Sequence, residues 1–469
     1  MDASAAGWAQ EQFGGVALED PRWGRRLVEM AAQAARRPGG KVTEVFVTGA
    51  QRQGAYGLLE SAAVGESAVR TVMFEAAAKR CADEPFVFCA VDGSSLSLTD
   101  LGSNKGFGSV GARSFGARGL KVISALAMSA QGVPHGLTSQ IWWARSMEKV
   151  TQHRRQRKTE DKEIGRWLEA MQQTRQVVST QAPGTRLWFQ LDREADAWPI
   201  LEQADAAQHW FTIRGHHNRR VVLPNGGKTY LRALLDLQPE LCGYSLRVSA
   251  GASRAARVAN MRLRACTVTL NFKDHRTERH FNKTVNVVLA REQGTTPPGE
   301  KPLEWLLLTN RPIETEAMLH QVVFGYSLRW RIEDFHRTWK SGACQVEQSQ
   351  LRSLTAAIKW ATILAAVAIR IERLKLLARD QPERPATDEF SPIELRAITL
   401  LRFQKQASKH FLEDEVIPSL AQATLWLAQI GGYTGKSSGG PPGSVTLTRG
   451  LTEVAVAVRA LEALAGSCD

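Results

Sequence analysis

The sequence predicts a mixed α/β protein: a central sheet with helices packed on it, a β-rich insertion, and helical domains at both ends. Three observations predict it. Two apolar runs, PFVFCAVDGSSLSL and GTRLWFQLDREAD, are strand-like and each leads to an aspartate, with a helix-period stretch between them. From about 218 to 302 the pattern is almost entirely strand. Before about residue 75 and after residue 313 it is helical.

Taken in order, DPRWGRRLVEMAAQAARR places Leu27, Met30 and Ala31 at helical spacing, with arginines on the other faces. A pair of short helices follows in GAQRQGAYGLLESAAVGESAVRTVMFEAAAKR. Residues 1–75 therefore form a small helical unit with exposed cations, a pattern shared by DNA readers and by any amphipathic bundle. The next segment, 76–375, opens with the Asp92 strand. LKVISALAMSAQGVPHGLTSQIWWAR gives two strands joined at Gly-Val-Pro, DKEIGRWLEAMQQTRQVV a helix, and HWFTIRG a further strand. In the insertion, TVTLNF, KTVNVVLA and LEWLLLTN are strands separated by Gly, Pro and charged turns. Helices return in YSLRWRIEDFHRTWK and LTAAIKWATILAAVAIRIERLKLLA. The Pro-rich break DQPERPATDEFSP opens a helical C-terminal region, 376–469, with one flexible loop, GKSSGGPPGS.

Composition narrows the partner. The 469 residues include 60 Lys and Arg against 47 Asp and Glu, a net charge of +13. That excess points to a polyanion, most commonly nucleic acid. The longest apolar run, Trp360 to Ile369, is about half the roughly 20 residues a membrane span needs, so no membrane partner is expected. The N-terminus lacks the basic start and apolar stretch of a signal peptide. Six cysteines without CxxC spacing read as free thiols of a reducing cytoplasm. No HExxH occurs, so a catalytic metal would be held by oxygen ligands.

Asp92 and Asp192 stand where α/β sheets place active sites, although a strand-ending turn residue is the plainer reading of either alone. A third acid changes the balance. Tyr326, Arg329, Glu333 and Lys340 are 3, 4 and 7 residues apart, steps that return to nearly one face of an α-helix. An ordinary i,i+4 pair would account for Arg329 and Glu333 but not for the other two. Three carboxylates suit two hard divalent cations, Mg²⁺ foremost with Mn²⁺ as a substitute, about 3.5–4 Å apart. The flanking cations would grip neighbouring phosphates, Arg329 as a bidentate fork and Lys340 as a point charge.

Tyr326-x2-Arg329-x3-Glu333-x6-Lys340 resembles the YREK signature of bacterial DDE transposases of the insertion-sequence-four family. LEDPRWGRRLVEMAAQAA, QRQGAYGLLES, DGSSLSL, QIWWAR, DREAD, QPELCGY and PLEWLLLTNRPIE are similar to that family's segments, in the same order. Across the C-terminal hundred residues the likeness thins to LAQIGGY.

The resemblance implies a ribonuclease-H-like catalytic domain with Asp92, Asp192 and Glu333 as ligands of two metal ions. It also implies an N-terminal reader of inverted-repeat transposon ends and a C-terminal region that pairs two subunits on double-stranded DNA. A cut-and-paste cycle follows: hydrolysis, hairpin formation, hairpin opening and joining of 3′ ends to target DNA. The location implied is a bacterial cytoplasm, on the nucleoid when DNA is bound. The aromatic that receives a flipped base looks like Trp305, which a core-tryptophan reading also fits. Arg214, His336 and Arg337 are further phosphate contacts, with solvated charge as the plain alternative. The basic run TQHRRQRK, residues 151–158, departs from the family's pattern. Two rivals remain. A related metal nuclease would not need Tyr326, Lys340 or Trp305, and a catalytically silent DNA-binding regulator would be expected to have lost an acid.

Overall fold

The computed structural model describes residues 4–465 apart from 103, 113–115, 149–155, 205–208, 224–225, 252–253, 275, 404–416 and 436–439. Five helices come first: α1 (Ala5–Phe13), α2 (Pro21–Arg36), α3 (Val42–Val45), α4 (Gly49–Glu60) and α5 (Glu66–Lys79). Side-chain oxygens of Ser4, Asp20 and Thr48 cap α1, α2 and α4, satisfying amides that have no partner inside the helix. Leu27, Met30 and Ala31 are buried, as their spacing requires.

Twelve strands then form one sheet. The half that comes first in the chain consists of β1 (Phe86–Ser97), the two-residue β2 (Gly108–Ser109), β3 (Arg118–Met128), β4 (Pro134–Trp143), β5 (Arg186–Leu191) and β6 (Trp210–Arg214). β1, β3 and β4 are antiparallel neighbours, whereas β5 and β6 run parallel to β1 on its other side. The crossover from β4 to β5 carries α6 (Glu163–Gln181), and that from β5 to β6 carries α7 (Trp198–Ala204). This is how parallel neighbours must be joined.

The β-rich stretch contributes β7 (Arg220–Val222), β8 (Lys228–Tyr230), β9 (Cys242–Val248), β10 (Arg257–Lys273) and β11 (His280–Gln293). It also holds a short helix, α8 (Leu231–Asp236), that strand periodicity did not predict. β12 (Glu304–Thr309) pairs with β6 on one side and β11 on the other. The insertion therefore extends the central sheet.

Two further helices, α9 (Glu316–Ser327) and α10 (Trp330–Lys340), lead into α11 (Leu354–Asp380). By length and apolarity α11 could cross a membrane, a property that the run from Trp360 to Ile369 understated. In this fold 83% of its most apolar window is buried, because it packs against α2, α4, α5, α10 and β4. Buried Lys359 donates to the carbonyls of Leu59 (2.9 Å) and Ser61 (2.8 Å), closing the end of α4. The chain finishes with α12 (Pro392–Phe403), α13 (Leu420–Ile430) and α14 (Ser444–Ala465), which share a separate apolar core with the end of α11. One larger core joins the first five helices, one face of the sheet, and α9 to α11. The five described cysteines are free, Cys81, Cys89 and Cys344 being buried.

Candidate active site

The two aspartates enter the site from adjacent parallel strands. β1 and β5 pair from Phe86↔Arg186 to Val91↔Leu191, so Asp92 and Asp192 are the next residue on each. β5 stops there, and Asp192 opens a 3-10 turn, Arg193–Ala195, accepting from the amide of Glu194 at 2.7 Å. β1 does not stop. It continues to Ser97 along β3, with Asp92 opposite Ser124. The reading of Asp92 as a strand end is corrected: Gly93-Ser94-Ser95 suggests a turn locally, but the antiparallel ladder with β3 holds it extended. Asp92 thus sits mid-strand, where its parallel neighbour leaves the sheet and uncovers it.

The acid from the helical segment arrives on α10. YSLRWRIEDFHRTWK is not one continuous helix. α9 ends at Ser327, and the turn through Leu328 and Arg329 tightens to i,i−3 bonds, Arg329 N to Tyr326 O at 3.1 Å and Arg331 N to Leu328 O at 2.9 Å. Such a turn over-winds the helix without a proline. Close packing just before it also constrains the path: a Cβ at Gly325 would lie 2.4 Å from the Phe88 ring. Tyr326, Arg329 and Glu333 still share one side across this break.

Arg329 organises the acids. Its guanidinium, only 6% exposed, lies 2.6 Å from Glu333 Oε1 and 3.5 Å from Asp92 Oδ2. The Asp92 carboxyl is pushed up to about 7, chiefly by burial, with Arg329 opposing the rise and the charges of Asp192 and Glu333 adding to it. A site that crowds carboxylates this way favours either a proton or a cation. The donors are all hard oxygens, which fits Mg²⁺ or Mn²⁺. As arranged, no three His, Cys, Asp or Glu side chains among the described residues stand close enough to ligate one ion together.

Tyr326 is buried, with the charges of Arg329 and Arg214 bearing on its hydroxyl. Trp305, on β12, is half-buried with its ring edge-on to Tyr326 at 5.3 Å between centroids. Arg214 ends β6 and donates to the Glu304 carbonyl at 3.3 Å, its charge coupled to Tyr326 and to Arg193. The fold brings Asp92, Asp192, Glu333, Arg329, Tyr326, Trp305 and Arg214 into one region.

Three residues of α10 are placed differently. Lys340, in the last turn, lies 3.8 Å from Glu347. Arg337 is exposed and paired with Asp334. His336 is buried beside Phe335 and Trp339, its Nε2 has no partner, and burial together with Lys340 pushes its imidazole down to about 3. The expectation of His336 as a solvent-facing phosphate contact is therefore corrected: its place on α10 turns it into the core. Glu347 was missed in the sequence. It accepts from Ser97 N at 2.8 Å and so ties the end of β1 to the turn after α10, and no local pattern marks it. Of the basic run at 151–158, residues 151–155 lie outside the described residues.

Comparison with known families bears on the two ends of the chain. Residues 5–64, spanning α1 to α4, match the family model described as transposase DNA-binding. Residues 366–466, from within α11 to the end of α14, match the model of the transposase Tn5 dimerisation domain. These two matches support a Tn5-like transposase, a DNA-processing protein that binds DNA at one end of its chain and pairs with a second copy through the other.

Proposed function

We propose that this chain is a cut-and-paste DNA transposase of the DDE type, with Asp92, Asp192 and Glu333 as its catalytic acids and Tyr326, Arg329, Glu333 and Lys340 as a YREK signature. The observation that carries the reading is one guanidinium, that of Arg329, bridging Asp92 on β1 and Glu333 on a distant helix, with Asp192 at the end of the adjacent parallel strand and its charge felt at Asp92. The sheet supports a ribonuclease-H-like assignment: three antiparallel strands, then two parallel to the first, in the order β4-β3-β1-β5-β6.

Asp92, Asp192 and Glu333 would hold two divalent cations, which when bound supply an activated water or 3′-hydroxyl and neutralise charge at the phosphate. Arg329, freed from the acids, would fork onto a phosphate beside the scissile one, with Lys340 contributing a point charge on the same helix. Trp305, edge-on to Tyr326, offers an indole face to a base turned out of the duplex, which hairpin formation at a sharply bent end requires. Two copies, paired through the C-terminal helices, would each act on one inverted-repeat end before joining both to target DNA.

The test is cleavage, in Mg²⁺, of a labelled duplex carrying the element's own inverted repeats, comparing the wild type with Glu333→Gln. Hairpin and strand-transfer products from the wild type alone are expected. Binding without cleavage by either protein would leave a DNA-binding regulator.

A further inference from the structure

The end of the sheet opposite the acids carries a second, differently built cationic surface. Arg186 opens β5 and is exposed, and Arg311 follows β12. They hold Trp210, the first residue of β6, between them, with guanidinium carbons 4.6 Å and 3.9 Å from its ring centre. Arg311 also lies 5.5 Å from the Trp188 ring. A guanidinium lying over a ring can still turn N–H groups to an anion; among the described residues Arg186 commits none of its side-chain N–H groups, whereas Arg311 commits one, to Gln321. Among the described residues, neither arginine has a carboxylate within ion-pair distance. Arg311 has only a neutral side-chain partner, Gln321 at 3.2 Å. Burial, and then the charge of Arg186, pull the Arg311 guanidinium below its usual value. Two like charges are held together here without a carboxylate partner among the described residues.

The surface continues along β10 and β11. Asn286 donates to the Arg311 carbonyl at 2.9 Å, and beyond it run cross-strand pairs of neutral polar side chains, Thr269 with Thr284 at 3.0 Å and Asn271 with Asn282 at 2.8 Å. All of these residues follow the strand parity of Trp188 and Trp210, so they share one face of the sheet. Thr284, Asn282 and Asn271 are exposed. A row of hydroxyls and amides leading to stacked arginines is the composition that meets a DNA backbone without reading its sequence. Arg186 and Asp192 lie at opposite ends of one strand, about 20 Å apart at ~3.3 Å per residue, so this surface is separate from the acid cleft.

We propose that Arg186 and Arg311, stacked on Trp210 at the lower edge of the sheet, form a second binding site for the phosphate backbone of duplex DNA. It would hold a stretch of DNA away from the acids without sequence preference. The inference rests on the DNA-processing reading above.

The test uses the full chain and two labelled duplexes, one of random sequence and one carrying the inverted repeats, with binding measured from 50 to 200 mM salt. Each phosphate contact contributes about 0.9 to the slope of log affinity against log salt. The double variant Arg186→Gln, Arg311→Gln should therefore bind random duplex with a slope shallower by about 1.8. The wild type should then lose about tenfold more affinity than the variant across that range. Arg186→Gln alone, at an exposed strand start where it cannot disturb the core, should give about half the slope change and decides the matter if the double variant melts early. Cleavage of inverted-repeat DNA should persist in both. Unchanged affinity and slope in a folded Arg186→Gln protein, while the wild type binds random duplex, would overturn this site alone. If the wild type bound neither duplex, the transposase reading itself would fail.

Discussion

The two ends of strands β5 and β6 carry similar cations in opposite electrostatic company. At the upper end Arg329 sits between Glu333 and Asp92, so its charge is balanced inside the protein. At the lower end Arg186 and Arg311 flank Trp210 with no carboxylate partner among the described residues. A buried cation balanced by acids holds those acids in place and becomes available to a ligand only if something else takes over the acids. An unbalanced, aromatic-stacked pair is already disposed toward an external anion. On the proposed reading, the upper end exchanges partners and the lower end docks DNA.

The sharpest way to break this contrast is at Arg329. Arg329→Gln should lower cleavage in Mg²⁺ by about 10²–10³-fold, the usual cost of losing one preorganised charge at a reacting phosphate. Arg329→Lys should recover only part, since an ammonium cannot fork across two oxygens. Wild-type cleavage by Arg329→Gln would reduce the bridge to an ordinary ion pair.

Trp305→Ala comes next. Loss of a stacking platform costs about 1–3 kcal/mol, so hairpin formation should slow by about 5–150-fold while the first nick proceeds. Equal slowing of both steps would make Trp305 a packing residue only. A smaller effect is expected at Lys340. Its replacement by Gln should make end-DNA binding shallower in salt by about 0.9, the same change as Arg186→Gln but confined to the DNA held at the acids.

The smallest effect concerns pH. His336 is neutral in the fold, its imidazole pushed down to about 3, against about 6.5 when unfolded. Its contribution to stability is complete above pH 6.5 and is lost as pH falls toward 3, because the unfolded chain takes up the proton first. His336→Phe should therefore melt with a flatter pH dependence between pH 7 and 5. An unchanged dependence would mean that His135 and His209, pushed down to about 3 and about 4 chiefly by burial, dominate it.

Much of the upper site was legible because its residues lie in short, strongly patterned segments. Asp192 follows an apolar strand directly, and the spacing of Tyr326, Arg329 and Glu333 survives even though α9 and α10 are separate helices. Asp92 was found for a partly mistaken reason, since β1 runs past it. Arg186 and Arg311 carried no signal. Each is a single arginine at the border of a strand, and only the placement of β12 beside β6 brings them to the same tryptophan.

The sequence by itself determined the alternation of strands and helices, the β-rich stretch, the acids and the basic balance, because burial periodicity and charge are properties of local order along the chain. Only the tertiary structure decided that the β-rich stretch joins the central sheet, that His336 turns inward, and that a guanidinium bridges two acids at one edge while two others share a tryptophan at the opposite edge. Those outcomes depend on which strands pair across long sequence separations, and strand pairing is settled by the packing of whole faces and not by any one segment.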